Sequence, residues 1–163
     1  MKLELTFFKQ LKALLVLIII FFVISFISFY IGFNTRNGFY VIVLLYVILI
    51  VPTLYVHINY YNAGKNCIFD LNKDEIRVVK NGDEMVFYKE DFKVIEFYMS
   101  GTKLAGLVIR NFPFENYYYA KIIMNDNSKI EISCLFSDEI DKILPSFYPD
   151  IPLVKIKDFY PLI

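Results

Sequence analysis

Two long apolar runs dominate the first third of the chain. Nothing between Ala13 and Phe33 is charged, and the hydroxyls inside that run are Ser25, Ser28 and Tyr30. The run from Phe39 to Ile58 is equally free of charge, with Pro52 and Thr53 toward its far end and His57 at its edge. Twenty helical residues rise about 30 Å, the hydrocarbon thickness of a bilayer. Residues 13–33 and 39–58 therefore predict two transmembrane helices, and the turn-forming Asn34-Thr35-Arg36-Asn37-Gly38 between them makes the helices antiparallel neighbours. Pro52 withdraws a backbone donor, and Thr53 is expected to satisfy the carbonyl that this frees. A cleaved signal peptide has an apolar core of about 7 to 15 residues and small residues at its cleavage site, which Gly32-Phe33-Asn34 does not supply. A soluble core helix that is apolar on every side needs more surrounding protein than a chain of 163 residues provides.

Beyond a linker at residues 59–66 the apolar period changes to two, the pattern of half-buried strands. Cys67, Phe69 and Leu71 alternate with Ile68 and Asp70; Asn72-Lys73-Asp74 turns the chain, and Ile76 and Val78 share one face of the next strand. Asn81-Gly82 predicts a type I′ hairpin that pairs residues 75–80 with 84–88. A fourth strand ends near Met99 with Ile95 and Phe97 facing the core, a fifth is expected over residues 103–110, and a sixth over 117–124. The seventh, 129–136, alternates most cleanly, with Ile130, Ile132, Cys134 and Phe136 inward and Lys129, Glu131 and Ser133 outward.

A helical period follows. Ser137 suits an N-cap, Asp138 and Glu139 suit the positive end of the helix dipole, and Ile140, Ile143, Leu144 and Phe147 fall on one face, with Pro145 shortening or kinking the helix. The tail alternates again, Val154 and Ile156 against Lys155 and Lys157, as an eighth strand or a strap. The expected architecture is a membrane-anchored α+β chain: a cytoplasmic flank (1–12), a helical hairpin (13–33 and 39–58), a seven-stranded antiparallel barrel or sandwich closed by a C-terminal helix (67–148), and a tail (149–163). In strand number, in the Asn81-Gly82 hairpin, in the Glu90-Asp91 turn before Val94-Ile95 and in the final helix, the chain resembles small membrane-anchored bacterial proteins with a pleckstrin-homology-like domain. The resemblance covers roughly residues 67–148, and it implies one or two transmembrane helices ahead of the domain.

Charge refines this picture. The 17 basic and 17 acidic residues divide unevenly: up to Asn66 there are five Lys or Arg and one Glu, and beyond it twelve and sixteen. The hairpin portion is thus net +4 and the domain net −4, which makes nucleic acid an unlikely partner for the domain. Lys2, Lys9 and Lys12 precede the first span and Lys65 follows the second, against Arg36 alone in the connecting loop, so both termini are expected on the cytoplasmic side of the inner membrane. There Cys67 and Cys134 are expected as reduced thiols on apolar strand faces.

Candidate chemistry is sparse. His57 is the single histidine, the two cysteines have no C-x-x-C spacing, and Gly101 and Gly106 form no phosphate loop, so no catalytic residue, metal site or cofactor is expected. Phosphoinositide-binding pleckstrin-homology domains carry bases around the first strand-strand loop. Here Asn72-Lys73-Asp74 offers one base against one acid, a departure that argues against headgroup recognition at that loop. The residues least explained by alternation run from Phe112 to Tyr119, since period two buries Tyr117 and Tyr119 or Tyr118, but not all three.

These observations predict a non-enzymatic inner-membrane protein with a cytoplasmic binding or oligomerisation module, its interaction surface at Phe112, Phe114, Tyr117 and Tyr118, and the bilayer plus a protein or a second copy as partners. Two transmembrane helices and a small β domain also resemble the membrane effectors of bacterial cyclic-nucleotide defence systems. That resemblance implies a small nucleotide ligand held near Arg77, Lys80 or Arg110, and requires the tail to close an eight-stranded barrel with a pocket. An accessory subunit of a larger membrane complex is a third reading. Charge-free spans argue against a channel formed by one copy.

Overall fold

The computed structural model describes residues 1–31, 36–107 and 112–163. Two long helices, α1 (Phe7–Ile31) and α2 (Arg36–Gly64), lie against each other, with Ser25 Oγ and Tyr46 Oη 2.8 Å apart between them. Both exceed the apolar runs. Thr6 Oγ1 accepts from Lys9 N at 3.3 Å and starts α1 six residues before Ala13, while α2 takes in most of the expected linker and is followed by Asn66 at φ 63°. The expected turn at 34–38 lies partly outside the described residues, and α2 already begins at Arg36. Pro52 frees the carbonyl of Ile48, four residues back. Thr53 Oγ1 bonds its neighbour instead, Leu49 O, at 2.7 Å.

Two four-stranded sheets follow. The first has the order β1-β2-β3-β4, from Lys2–Glu4, Cys67–Leu71, Glu75–Lys80 and Asp83–Tyr88; the second runs β7-β6-β5-β8, from Lys129–Ser133, Tyr118–Met124, Phe92–Met99 and Leu153–Lys157. Asn81 and Gly82 have φ 54° and 97°, both positive as a type I′ turn requires, and Lys80 faces Asp83 across it.

The structure differs from or adds to the expected elements in four places. The fifth strand is absent over its described part: Gly101–Leu104 is a helical turn, α3, because Ser100 Oγ accepts from Lys103 N, and residues 108–110 lie outside the described residues. The flank 1–12 carries a strand that the sequence reading did not include, β1, which pairs antiparallel with β2 through Leu3 and Phe69. The tail is an eighth strand, but β8 runs parallel to β5 and occupies the edge that β4 would need to close a barrel, so the sheets remain two layers. The last helix, α4 (Ile140–Phe147), begins after Glu139 rather than at Ser137, whose Oγ instead accepts from Glu139 N at 3.3 Å.

The main core fills the space between the sheets. Leu3, Phe69, Leu71, Ile76 and Val78 meet Phe92, Ile95, Phe97, Ile122 and Ile132, and Ile140 and Leu144 of α4 complete it. Tyr148 anchors the end of α4 by donating to Asn72 O at 2.8 Å. Leu3 is almost fully buried in this core, so Leu3→Ala should destabilise the chain by about 2–4 kcal/mol. A thermal midpoint of the purified full-length protein several degrees below the parent checks this; an unchanged midpoint would mean β1 is not part of the fold.

Candidate functional site

The residues from Phe112 to Tyr119 resolve into a seam between the domain and α2. Pro113–Asn116 forms a 3-10 turn, closed by Glu115 Oε2 accepting from Phe112 N at 3.1 Å and tied to α3 by Ser100 Oγ donating to Glu115 O at 3.0 Å. Tyr118 faces the main core, and Tyr117 and Tyr119 face the opposite side, where Val56 and Tyr60 of α2 cover them. All three tyrosines are buried, contrary to expectation, because β6 has a packed layer on each face: sheet one beneath and α2 above. Tyr60 sits edge-on to Tyr117 and Tyr119, with ring centroids 5.5 and 6.2 Å away. His57, at the edge of the second apolar run, is buried with Nδ1 2.9 Å from Tyr117 Oη, the tautomer deciding which donates.

The last residues strap the seam. Tyr160 stacks on Tyr55, donates to Pro52 O at 2.8 Å and touches Phe114, while Asn59 exchanges two hydrogen bonds with the backbone of Ile163, at 3.0 and 3.1 Å. Phe114 and Tyr117 are therefore buried in the seam inside one chain, Phe112 is half-buried and stacked on Phe114, and Tyr118 is buried on the other side, in the main core, so the four do not share one surface. Of the three bases proposed for a ligand pocket, Arg77 and Lys80 are exposed on β3, with Arg77 bonded to Glu75 at 2.6 Å, and Arg110 lies outside the described residues. Cys67 is buried in β2. Cys134 lies in the turn after β7 rather than on a strand, and burial pushes its thiol up to about 12.

A cavity of about 590 Å³ opens beside the seam, bounded by β1, the first turns of α1, α3 and the segment joining β7 to α4. Lys2, Lys9, Lys12 and Lys103 reach it, with Asp138 as the carboxylate in its wall. Lys12 Nζ and Asp138 Oδ2 are 2.7 Å apart, a bond that holds the Asp138 carboxyl below its ordinary range. Lys103 Nζ stands 3.8 Å over the Tyr118 ring, and Tyr118 Oη, 2.8 Å from Asp141 Oδ1, is held neutral well above its ordinary range by burial and then by that carboxylate. Period-two reasoning did not gather these lysines, because they come from a short strand, a helix and a turn far apart in sequence. The spacing of Lys9, Lys12, Ala13 and Val16, which is helical, was the legible part of the signal.

A family profile for the PH domain matches residues 2–142, which include both long helices and the strands β1 to β7 but not β8. The chain belongs to the PH domain family. No curated protein and no solved structure matches it.

Tyr117→Phe would leave a buried His57 nitrogen unpaired with almost no change of shape, a loss of about 1–3 kcal/mol. The thermal midpoint of the full-length variant should fall accordingly. An unchanged midpoint would mean that the pair contributes nothing to the seam.

Proposed function

We propose that this PH domain protein is an inner-membrane protein without enzymatic activity, which holds its domain against the cytoplasmic face as a binding module. The observation that carries the reading is the exposure of the helices. Phe7–Tyr30 and Gly38–Gly64 are long and apolar enough to cross a bilayer, yet only 17% and 11% of their most apolar stretches are buried by protein. A soluble protein's core helix would be covered. Here Phe21, Phe22, Phe26, Phe29, Leu44, Val47 and Val51 all face outward, an apolar belt far beyond what a soluble monomer leaves in water. The lysines at residues 2, 9, 12 and 65 sit at the end of the hairpin that carries the domain, which supports a cytoplasmic domain by the positive-inside rule.

The cyclic-nucleotide effector reading draws no comparable support. It needs the tail to close a barrel around a pocket, whereas β8 lies parallel on β5 and α4 packs into the core between the sheets. Self-association and membership of a larger complex remain compatible with the anchored module.

The full-length chain should stay with the membrane fraction through alkaline carbonate extraction. Its domain should be degraded by added protease in inverted vesicles but not in intact spheroplasts. Release by carbonate would overturn membrane integration, and digestion in spheroplasts would overturn the orientation.

A further inference from the structure

We propose that the free edge of β4 pairs antiparallel with the β4 of a second copy of this chain, with Val86 on the two-fold axis, so that two four-stranded sheets become one. This goes beyond the anchored-module reading and does not depend on it. Sheet one ends at β4, and β8 occupies the place beside β5 that β4 would need to close a barrel. The Asn81-Gly82 hairpin fixes which backbone groups are left over. Lys80 and Asp83 close a two-residue turn, and Lys89 N donates to Asp74 O at 2.8 Å, so the odd-numbered residues from Asp83 to Lys89 bond to β3. The N–H and C=O groups of Glu84, Val86 and Tyr88 therefore point away from the sheet. The other edges are blunted. β1 is three residues long, and Lys9 Nζ donates to its Glu4 carbonyl at 3.0 Å; β7 carries Lys129 and Glu131, and β8 carries Lys155 and Lys157. Short edges and charges are how sheets avoid pairing with other chains. In β4 the four residues from Met85 to Tyr88 are all uncharged, and Met85, Val86 and Tyr88 are exposed.

Met85 shows that this edge is incomplete. It faces Val78 across the ladder, which places it on the core side, yet it is 43% exposed. A gap of about 380 Å³ lies beside the same edge, between Val86 and Phe87 on one side and Met124, Asn125, Asp126 and Ser128 on the other. What selects a second copy is the register. Strands exchange hydrogen bonds where outward-pointing residues face each other, and Val86 facing its own counterpart meets that condition. Across the two copies Glu84 then faces Tyr88, Met85 faces Phe87, and Asp83 faces Lys89. Opposite charges and apolar pairs directly across from each other are the cross-strand contacts that stabilise a sheet. Lys89 Nζ already bonds Asp150 Oδ2 at 2.7 Å, and its three donors leave capacity for a second carboxylate. The next register on one side puts Glu84 opposite Glu90 and Asp83 opposite Asp91, and the next on the other side leaves Asp83 opposite Phe87. The contact is isologous, so it closes as a dimer instead of growing into a filament.

The test uses the full-length protein in neutral detergent. Sedimentation over a range of concentrations should show monomer and dimer in equilibrium. Val86→Pro removes an outward N–H and no bond to β3, so it should weaken dimerisation by about tenfold. Val86→Lys, a change that an edge strand tolerates, should also weaken it, as should Asp83→Lys, which sets like charges opposite each other. Val154→Lys, exposed on β8, should dimerise as the parent does. Under mild oxidation Val86→Cys should give a disulfide-linked dimer and Glu84→Cys should not, because Glu84 faces Tyr88 and not itself; the parent, which carries Cys67 and Cys134, is the control. A monomer at every concentration, or a dimer that Val86→Pro and Val86→Lys leave intact, would overturn the proposal. So would dissociation by Val154→Lys, which would put the contact at β8, or cross-linking through Glu84→Cys in place of Val86→Cys. None of these readouts needs a bilayer, so they stand whether or not the chain resists carbonate extraction.

Discussion

The arrangement depends on the burial of Val56, His57 and Tyr60 against Phe114, Tyr117 and Tyr119. These side chains belong to two bodies, a pair of long apolar helices with little protein around them and a two-sheet domain, and the seam is where they are joined. Without it the domain would be joined to the hairpin mainly through the short connections at residues 5–6 and 65–66. With it, sheet two has a packed layer on each face and the last turns of α2 become part of the domain's hydrophobic structure. The tail reinforces the same join from outside, through Tyr160 and the paired bonds of Asn59 with Ile163.

This double coverage explains which parts of the chain were legible. The hairpin could be read because a charge-free run of that length has few other homes, and the Asn81-Gly82 turn because positive φ at two successive residues selects those side chains. The alternation in β2, β3 and the start of β7 was equally plain. Tyr117 to Tyr119 defeated the same logic, since period two presumes one wet face and β6 has none. Leu3 was hidden because three residues between lysines and an acid carry too little alternation to count. The stretch after Ser100 misled for a different reason: the mostly apolar run between Lys103 and Arg110 has the length of a strand, while the Ser100 hydroxyl caps a helical turn at its start. No local pattern announces that β8 will pair in parallel with β5, a partner more than fifty residues earlier.

The candidate cavity was less legible than the fold for a related reason. Its lysines are individually ordinary, and each had a sufficient reading as a topological signal or a solvated charge. Their convergence depends on β1 docking against β2, which brings the flank of the first span over the segment that leads into α4. Three of the lysines read in the sequence as a topological signal, Lys2, Lys9 and Lys12, line a pocket in the fold together with Lys103. Net charge pointed the other way. A domain at net −4 suggested indifference to anions, but the cavity draws three of its lysines from β1 and the start of α1, outside the acidic part.

The central claim is that the seam holds the domain rigidly on the hairpin, and a distance measurement in bilayers tests it most directly. Spin labels at Asn62, near the end of α2, and Glu90, before β5, are both on exposed positions. Electron–electron dipolar spectroscopy on the full chain in nanodiscs should give one narrow distance distribution. A broad or divided distribution would mean that the domain swings on its linker and that the seam is not a stable contact.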